Sequence, residues 1–137
     1  MTRIEPGICE TVTGPGTLDE IHVALDEFWL AHPQVPERIR LGTAIAVAEI
    51  AANIIEHAGR GKSIGLRMEV KALEDVVEVI FVDDGWEAQL DLTVARLPGD
   101  MAERSRGLAL AQSVLGELSY SRSGGTNRWT LISERFH

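Results

Sequence analysis

Polar side chains that could do chemistry lie along one side of a long helical segment in the middle of the chain. Glu49, Asn53, Glu56 and His57 fall on one arc of about 100° when this segment is drawn as a helix. A carboxylate in such a stripe can act as a general base, and an amide oxygen can bind a hard cation. The ordinary explanation is the solvated face of an amphipathic helix. The stripe carries no lysine, however, and small residues beside it leave room for a ligand.

Three later segments combine glycine with charged or polar residues. Segment 81–85, FVDDG, ends an apolar run with two carboxylates, and its ordinary explanation is an Asp-Gly turn. Segment 103–110, ERSRGLAL, is typical of a helix start, where free N–H groups favour a phosphate, although a plain helix with surface arginines has the same pattern. Segment 124–126, GGT, is expected to form a hairpin turn before the last strand.

Segment 57–65, HAGRGKSIG, contains a Gly-Lys-Ser triplet. A P-loop needs another glycine five positions before the glycine of that triplet, with a strand before the loop and a helix after it. Glu56 occupies that position, and the predicted order of elements is reversed. The triplet is therefore expected to be a plain connection from a helix into a strand.

Helices and strands alternate in the remaining pattern. Thr17 and Glu20 match a capping box at the first helix, and Pro36 opens the second. In chain order the pattern predicts a weak strand at 3–12 interrupted by Pro6-Gly7, helices from 17 and at 36–58, strands at 64–71 and 76–82, a loop to about Arg106, a helix, and strands near 118–122 and 127–133. This order predicts helices on one face of a mainly antiparallel or mixed sheet.

Composition limits the classes of partner. The chain has 137 residues and a net charge of −8, which argues against nucleic acid or an anionic membrane and favours a basic protein or a Mg²⁺-neutralised ligand. Cys9 is the sole cysteine, and no apolar stretch reaches the roughly 20 residues that span a bilayer. No N-terminal segment has the pattern of a signal peptide. We expect a cytoplasmic protein.

The polar segments, taken together, resemble the boxes of the GHKL ATPases. Glu49-x-x-x-Asn53-x-x-x-His57 is similar to the N box, Asp83-Asp84-Gly85 to the G1 box, Arg106-Gly107-Leu108-Ala109-Leu110 to the G2 box, and Gly125-Thr126 to the closing G-T motif. The short distance between the second and third boxes resembles the RsbW/SpoIIAB type of anti-sigma factor and serine kinase. The resemblance implies one domain over residues 1–137 with an α+β fold, a two-layer α/β sandwich of the GHKL (Bergerat) type whose mixed, mostly antiparallel sheet carries helices on one face.

The resemblance also assigns roles to residues at the base and the metal. Glu49 matches the general base, and Asn53 matches the residue whose amide oxygen binds Mg²⁺. Asp83 matches the acceptor of the adenine amino group, and Gly85 would let the backbone approach the base. ATP or ADP with Mg²⁺ is the implied ligand. His57 is better suited to a structural role at the helix end.

Further residues are implied on the phosphate side. Gly107, with its neighbours Arg106 and Leu108 at a helix start, would hold the phosphates, and Arg104 would stabilise charge near the γ-phosphate. Thr126 matches a residue close to the adenine.

The function implied by the resemblance is that of an anti-sigma factor and serine/threonine-protein kinase. Its partners would be a STAS-domain antagonist, which is phosphorylated on serine, and a sigma factor. Trp86 and Glu87 depart from the Gly-x-Gly that usually ends the G1 box, and Ser105 stands where many members have glycine. A catalytically inactive binding module is therefore one alternative, and a stand-alone ATPase or a histidine-kinase catalytic domain is another.

Self-association is a further expectation for this type of protein. The N-terminal strand and the first helix, with Phe28 and Trp29, would supply a homodimer surface, unless both aromatic side chains belong to the core.

Overall fold

The computed structural model describes residues 2–88 and 100–136, the side chains of residues 100–105 excepted. Six strands form one sheet in the order β1-β2-β3-β4-β6-β5, and the described pairings are all antiparallel. The strands are β1 (Arg3–Glu5), β2 (Ile8–Val12), β3 (Gly65–Ala72), β4 (Val77–Asp83), β5 (Leu115–Ser123) and β6 (Thr126–Ser133). The predicted α+β fold is confirmed, and the sheet is antiparallel across its described pairings.

Three helices cover one face of this sheet. They are α1 (Thr17–Ala31), α2 (Glu37–Asn53), which continues into a π-helical turn (Ile54–Ala58), and α3 (Asp100–Val114). The helix α1 packs on β1, β2 and β3, α2 packs on β4 and β6, and α3 packs on α2 and β5. The opposite face of the sheet stays partly exposed. Among the described helices, none is both long and apolar enough to cross a membrane.

The alternating pattern of β3 and β4 explains why only one face of the sheet is buried. Successive side chains of a strand point to opposite faces, so every second residue enters the core. The buried residues are Leu66, Met68 and Val70 in β3 and Val77, Val79, Phe81 and Asp83 in β4. Asp83 is thus a carboxylate at a position where the strand otherwise places apolar side chains.

The N-terminal strand candidate is a hairpin. Pro6-Gly7 separates β1 from β2, and Ile4 pairs with Cys9. Gly7 has a φ of 77°, a backbone conformation that glycine adopts without steric cost. A Cβ at Gly7 would also lie 2.7 Å from the Phe28 ring. The turn therefore brings the hairpin directly against α1.

The predicted capping box at the start of α1 is wrong. Gly16 is the N-cap residue and has no side chain to bond the free N–H groups. Thr17 already lies inside the helix, and its hydroxyl oxygen accepts a hydrogen bond from the Gly14 amide at 2.8 Å. Glu20 accepts a hydrogen bond from the Thr11 hydroxyl at 3.2 Å. These side chains attach the helix start to the preceding turn and to β2.

The predicted loop before the last helix is too long. The helix α3 begins at Asp100, so Arg106 and Gly107 lie within it. Residues 101–104 are Met, Ala, Glu and Arg, which have high helix propensity. Their propensity extends the helix toward the N-terminus although no apolar period marks that segment.

Phe28 and Trp29 do not form a surface for self-association. Their exposures are 3% and 8%, and their rings pack edge to face with centroids 5.3 Å apart. The alternative that places both aromatic side chains in the core is confirmed. A homodimer would have to use other residues.

Candidate functional site

A cavity lies where the end of α2, the end of β4 and the start of β6 meet. Its volume is about 130 Å³. The described residues that line it are Asn53, Ile54, His57, Ala58, Arg60, Asp83, Trp86, Glu87, Ala88, Asn127 and Trp129. The cavity therefore joins residues of the N-box-like and G1-like segments, which are 30 positions apart in the sequence when counted from Asn53 to Asp83.

Asp83 is the most unusual group in the cavity wall. It is 2% exposed. Its Oδ1 accepts hydrogen bonds from the Gly85 amide at 2.9 Å and from Asn127 Nδ2 at 2.8 Å. Its Oδ2 is buried and has no partner in the part of the chain that the structure describes. An unsatisfied buried carboxylate oxygen is costly, so this atom fits a ligand that brings an N–H donor.

The surroundings of Asp83 shift its pKa upward from the ordinary value of 3.8. Burial is the main cause, because it disfavours the charged form. Hydrogen bonds from Asn127 and Gly85 oppose the shift, the charge of Asp84 adds to it, and Arg122 opposes it. The carboxyl group is thus desolvated while donors hold one of its two oxygens.

Asn127 connects Asp83 to the loop that follows β4. Besides its bond to Asp83, Nδ2 donates to the Trp86 carbonyl at 2.8 Å. The Oδ1 atom accepts hydrogen bonds from Arg122 Nη1 at 2.8 Å and from the Tyr120 hydroxyl. Both the nitrogen and the oxygen of the amide therefore have hydrogen-bond partners. Asn127 follows the segment 124–126 and belongs to none of the four box-like segments, so its role has no signal in the sequence.

Thr126 and Asn127 show how the register decides which residue faces the cavity. Thr126 lines a separate groove beside Gly65 and Asp84. Asn127 pairs with Asp83 between β4 and β6, and its side chain lies on the same face. The predicted hairpin returns β6 beside β5, whereas the pairing of β6 with β4, which brings Asn127 to Asp83, has no local signal in the sequence. The exact register is set by pairing that the sequence pattern alone does not define.

The Cβ side of Gly85 faces the backbone of Ala58 and not the open space of the cavity. A Cβ at this position would lie 2.5 Å from the Ala58 carbonyl oxygen and 2.8 Å from its carbon. The Trp86 amide donates to the same oxygen at 2.7 Å. Glycine is therefore required where the loop after β4 meets the π-helical turn.

The π-helical turn changes which polar side chains share a face. His57 and Ala58 line the cavity, whereas Glu56 is exposed and lies outside the described lining. Glu56 Oε2 is 3.7 Å from His57 Nε2. The helical arc that places Glu56 beside Asn53 does not continue here, because a π-helical turn has more residues than an α-helical one.

Arg60 and Trp86 form one edge of the cavity. The Arg60 guanidinium carbon lies 4.2 Å from the centroid of the indole ring, a cation–π arrangement. Arg60 has a φ of 48°, which is uncommon for a residue with a side chain. The Gly59–Ser63 segment is the connection from the π-helical turn into β3, as predicted, and its contribution to the cavity is Arg60 rather than the Gly-Lys-Ser triplet.

Asn53 and Glu49 occupy different surroundings one helical turn apart. Asn53 is 7% exposed and lines the cavity. Glu49 is partly buried and is not among the described residues that line the cavity. A Cβ added at Gly107 would lie 2.5 Å from its Oε2. The structure thus brings Asn53 to Asp83 and places Glu49 against α3.

The free helix N-terminus expected near Arg106 is not at that position. Gly107 lies inside α3, where backbone N–H groups bond to carbonyls one turn earlier. Arg106 is exposed, and Leu108 is buried in the core. The side chain of Arg104 lies outside the described residues. Phosphate binding by these residues stays a prediction.

Comparison with known proteins defines the family. The sequence matches the family described as "Histidine kinase-like ATPase domain" over residues 13–132. Its fold is similar to the histidine kinase domain from the Erythrobacter litoralis EL346 blue-light activated histidine kinase, with a TM-score of 0.55 and 20% identity over 72% of this chain and 48% of that chain. The chain therefore spans about half the length of that protein chain, and no curated protein matches its sequence. With the family matched over most of its length, the chain belongs to the histidine kinase-like ATPase domains of the GHKL type.

Proposed function

We propose that the chain is an ATP-dependent protein-serine kinase and anti-sigma factor of a partner-switching system. It binds Mg²⁺-ATP, phosphorylates a serine of a STAS-domain antagonist, and sequesters a sigma factor until unphosphorylated antagonist displaces it. Membership of an ATPase family supports the nucleotide. The spacing of the boxes in this sequence supports the choice of a serine kinase over the histidine kinases. The observation that carries the proposal is the partnerless Oδ2 of Asp83 in the cavity wall.

Asp83 is assigned to the adenine base. The exocyclic amino group of adenine is an N–H donor, and Oδ2 is a buried acceptor without a donor. A hydrogen bond between them would remove the cost of leaving a charged oxygen unsatisfied. Guanine has a carbonyl oxygen at the same place and would meet this oxygen with repulsion.

Asn53 is assigned to the metal. Its side chain lies in the wall of the same cavity and carries an amide oxygen, which is a suitable ligand for Mg²⁺. Bound Mg²⁺ would neutralise charge on the phosphates. Magnesium usually takes few protein ligands, so one amide oxygen beside phosphate and water oxygens is a sufficient donor set.

Glu49 is assigned as the general base. It lies one turn before Asn53 on α2, and a carboxylate there can take the proton of a serine hydroxyl. As the proton moves to Glu49, the serine oxygen bonds to the γ-phosphorus and the bond from that phosphorus to the bridging oxygen of ADP breaks. A positioned base contributes about 10²- to 10⁴-fold to the rate.

A nucleotide-binding switch without catalysis is the second candidate. The contact between Glu49 and Gly107 favours it, because α3 covers the proposed base in this structure. The two candidates differ in turnover alone. In the first, α3 moves away from Glu49 when nucleotide and substrate bind, whereas in the second the contact persists.

Calorimetric titration with Mg²⁺-ATP tests the nucleotide site. We expect wild type to bind ATP and not GTP, and both Asp83→Asn and Asn53→Ala to lose affinity. Glu56→Ala is a matched control, since Glu56 is an exposed polar residue three positions after Asn53 in the sequence and is not among the described residues that line the cavity. Absence of ATP binding by wild type contradicts the proposal.

Transfer of labelled γ-phosphate tests the reaction. STAS-domain proteins encoded by the same genome are incubated with the chain and ATP, and the product is treated with acid. Phosphoserine survives this treatment and phosphohistidine does not. We expect acid-stable label that disappears with Glu49→Gln while ATP affinity is retained. Label on histidine, or release of free phosphate alone, would assign the chain to the other classes of the family.

A further inference from the structure

We propose that Asn127 makes the cavity select adenine, by fixing which oxygen of Asp83 is left for the ligand. The inference rests on the proposed nucleotide-binding function and adds a specificity-determining residue to it. Asn127 is 1% exposed, and its side chain lies in the cavity wall. Its contacts reach Asp83, the loop after β4 and two residues of β5.

The two oxygens of Asp83 differ in their hydrogen-bond partners. Oδ1 receives donors from Asn127 Nδ2 at 2.8 Å and from the Gly85 amide at 2.9 Å. The two donors saturate this oxygen and hold the plane of the carboxyl group. Oδ2 is then the oxygen that has no partner. Without Asn127, one donor would remain and the group could rotate.

The side-chain amide of Asn127 is held in one orientation, because its oxygen and its nitrogen each face matching partners. An asparagine amide has two donors on nitrogen and an acceptor oxygen, and a flip exchanges them. Here Oδ1 faces two donors, Arg122 Nη1 at 2.8 Å and the Tyr120 hydroxyl. A reversed amide would place N–H groups against the Arg122 guanidinium and would turn the amide oxygen toward Asp83 Oδ1 and the Trp86 carbonyl oxygen. Residues of β5 thus fix the orientation that presents N–H to Asp83.

The accepting role of Asp83 Oδ2 determines which nucleotide base the cavity prefers. An ionised oxygen only accepts hydrogen bonds. It attracts the amino group at C6 of adenine and repels the carbonyl oxygen at C6 of guanine or hypoxanthine. A carboxyl group that carries a proton on Oδ2 can donate to that carbonyl oxygen, and a carboxylate that rotates no longer holds an accepting oxygen opposite C6. By keeping donors on Oδ1, Asn127 keeps Oδ2 in the accepting role.

Nucleotide selectivity tests this inference. The variant Asn127→Leu keeps a similar volume and removes the amide. Affinities for ATP, inosine triphosphate and GTP are measured by calorimetry, and inosine triphosphate isolates the change at C6. We expect ATP to bind about 10- to 100-fold more weakly to Asn127→Leu, as for loss of a hydrogen bond to a charged group. We expect the preference for ATP over inosine triphosphate to fall by at least about tenfold.

A second variant keeps the test decisive if Asn127→Leu does not fold. Tyr120→Phe removes the hydroxyl that donates to Asn127 and preserves the ring beside Trp129, whose centroid is 4.8 Å away. We expect the preference for ATP to fall about two- to tenfold, as for loss of a neutral hydrogen bond. Arg128→Ala is the control, because Arg128 is the next residue of β6 and is exposed on the opposite face. Its selectivity should equal that of wild type.

The outcomes separate this inference from the proposed function. A wild-type protein that binds no adenine nucleotide overturns both. A wild type that selects ATP, with unchanged selectivity in both variants, overturns the role of Asn127 alone. Equal losses for ATP and inosine triphosphate would show that Asn127 only supports the fold, and would also overturn it. A selective loss for ATP supports it.

Discussion

At the scale of single residues, the site depends on a charge that the fold does not require. Position 83 continues the inward alternation of Val77, Val79 and Phe81, so an apolar side chain would suit the core there. The carboxylate is instead buried with one oxygen unsatisfied. Such a site lowers the stability of the free protein, because the preorganised acceptor has no hydrogen-bond donor until the ligand binds.

The variant Asp83→Asn should therefore melt at a higher temperature than wild type at neutral pH, although it loses ATP. The raised pKa of Asp83 means that the folded state binds this proton more tightly than the unfolded state. Ionisation of Asp83 thus lowers stability at any pH above its folded-state pKa. We expect a higher melting temperature for Asp83→Asn than for wild type at pH 7, on a scale where each kcal/mol corresponds to about 3–6 °C at this chain length.

The pH dependence provides the check on that assignment. As the pH falls through the folded-state pKa of Asp83, which lies above 3.8, wild type takes up the proton and its penalty disappears. The difference in melting temperature between the two proteins should then narrow in circular dichroism scans. Asp26→Asn is the control, since Asp26 is exposed on α1 and is not among the groups that shift the pKa of Asp83. A constant difference at all pH values would contradict the explanation.

Residue types and spacing predicted part of this site and could not predict the rest. Asp83 and Asn53 lie in the cavity wall because each ends a regular element, and both elements have clear periodic patterns. Asn127 and Arg60 were missed for physical reasons. The first depends on the pairing register of β6, and the second on a left-handed backbone conformation in a glycine-rich loop.

At the scale of elements, glycine contacts decide how the pieces of the site meet. Gly85 allows the loop after β4 to contact the π-helical turn, and Gly107 and Gly42 allow α3 to pack closely on α2. A Cβ at Gly42 would lie 3.1 Å from the Val114 carbonyl oxygen. Periodicity predicted that these helices and strands exist. It did not predict such contacts, nor the start of α3, which depends on helix propensity without an apolar period.

The variant Gly85→Ala should destabilise the protein and separate the loop from the π-helical turn. The added Cβ would meet backbone atoms of Ala58, the nearest at 2.5 Å, and backbone cannot move aside as a flexible side chain can. We expect a loss of about 1–3 kcal/mol, as for overpacking in a well-packed region. Urea denaturation measures it. The matched variant Gly14→Ala meets nothing within 4 Å and should change stability by less than about 0.5 kcal/mol. Equal effects of both would contradict the contact.

The variant Gly107→Ala should separate stability from turnover. Alanine inside α3 gains up to about 1 kcal/mol of helix propensity over glycine. The new Cβ would meet Glu49 Oε2, the flexible end of the proposed base, which must then move. We expect an unchanged or higher melting temperature together with an unchanged rate of phosphate transfer, because α3 leaves Glu49 in the reactive state of the proposed kinase. Slower transfer would indicate that the contact between Gly107 and Glu49 persists during the reaction.

At the scale of the whole molecule, the architecture separates two surfaces. The helices cover one face of the six-stranded sheet, and the opposite face stays partly exposed. The chain carries a net charge of −8. A field of that sign attracts basic partners and repels acidic ones over a distance set by salt. Net charge is readable from composition, whereas the surface that a partner contacts depends on side chains from several elements.

This charge leads to a prediction about the proposed reaction product. Phosphoserine carries about −1.5 to −2 charges at neutral pH, so phosphorylation adds charge of the same sign as the kinase. We expect the phosphorylated STAS-domain antagonist to bind at least about tenfold more weakly than the unphosphorylated form at 0.1 M salt. Biolayer interferometry with the two forms measures the ratio.

The salt dependence of that ratio distinguishes general repulsion from a local clash at the serine. The screening length is about 10 Å at 0.1 M salt and about 3 Å at 1 M. If the overall charge of the kinase causes the loss, the two forms should approach equal affinity at 1 M salt. An antagonist with the serine replaced by alanine controls for the loss of the hydroxyl, and should bind like the unphosphorylated form at both concentrations. A ratio that does not change with salt would mean that release depends on a close contact with the phosphate, and the net charge would then have no part in the switch.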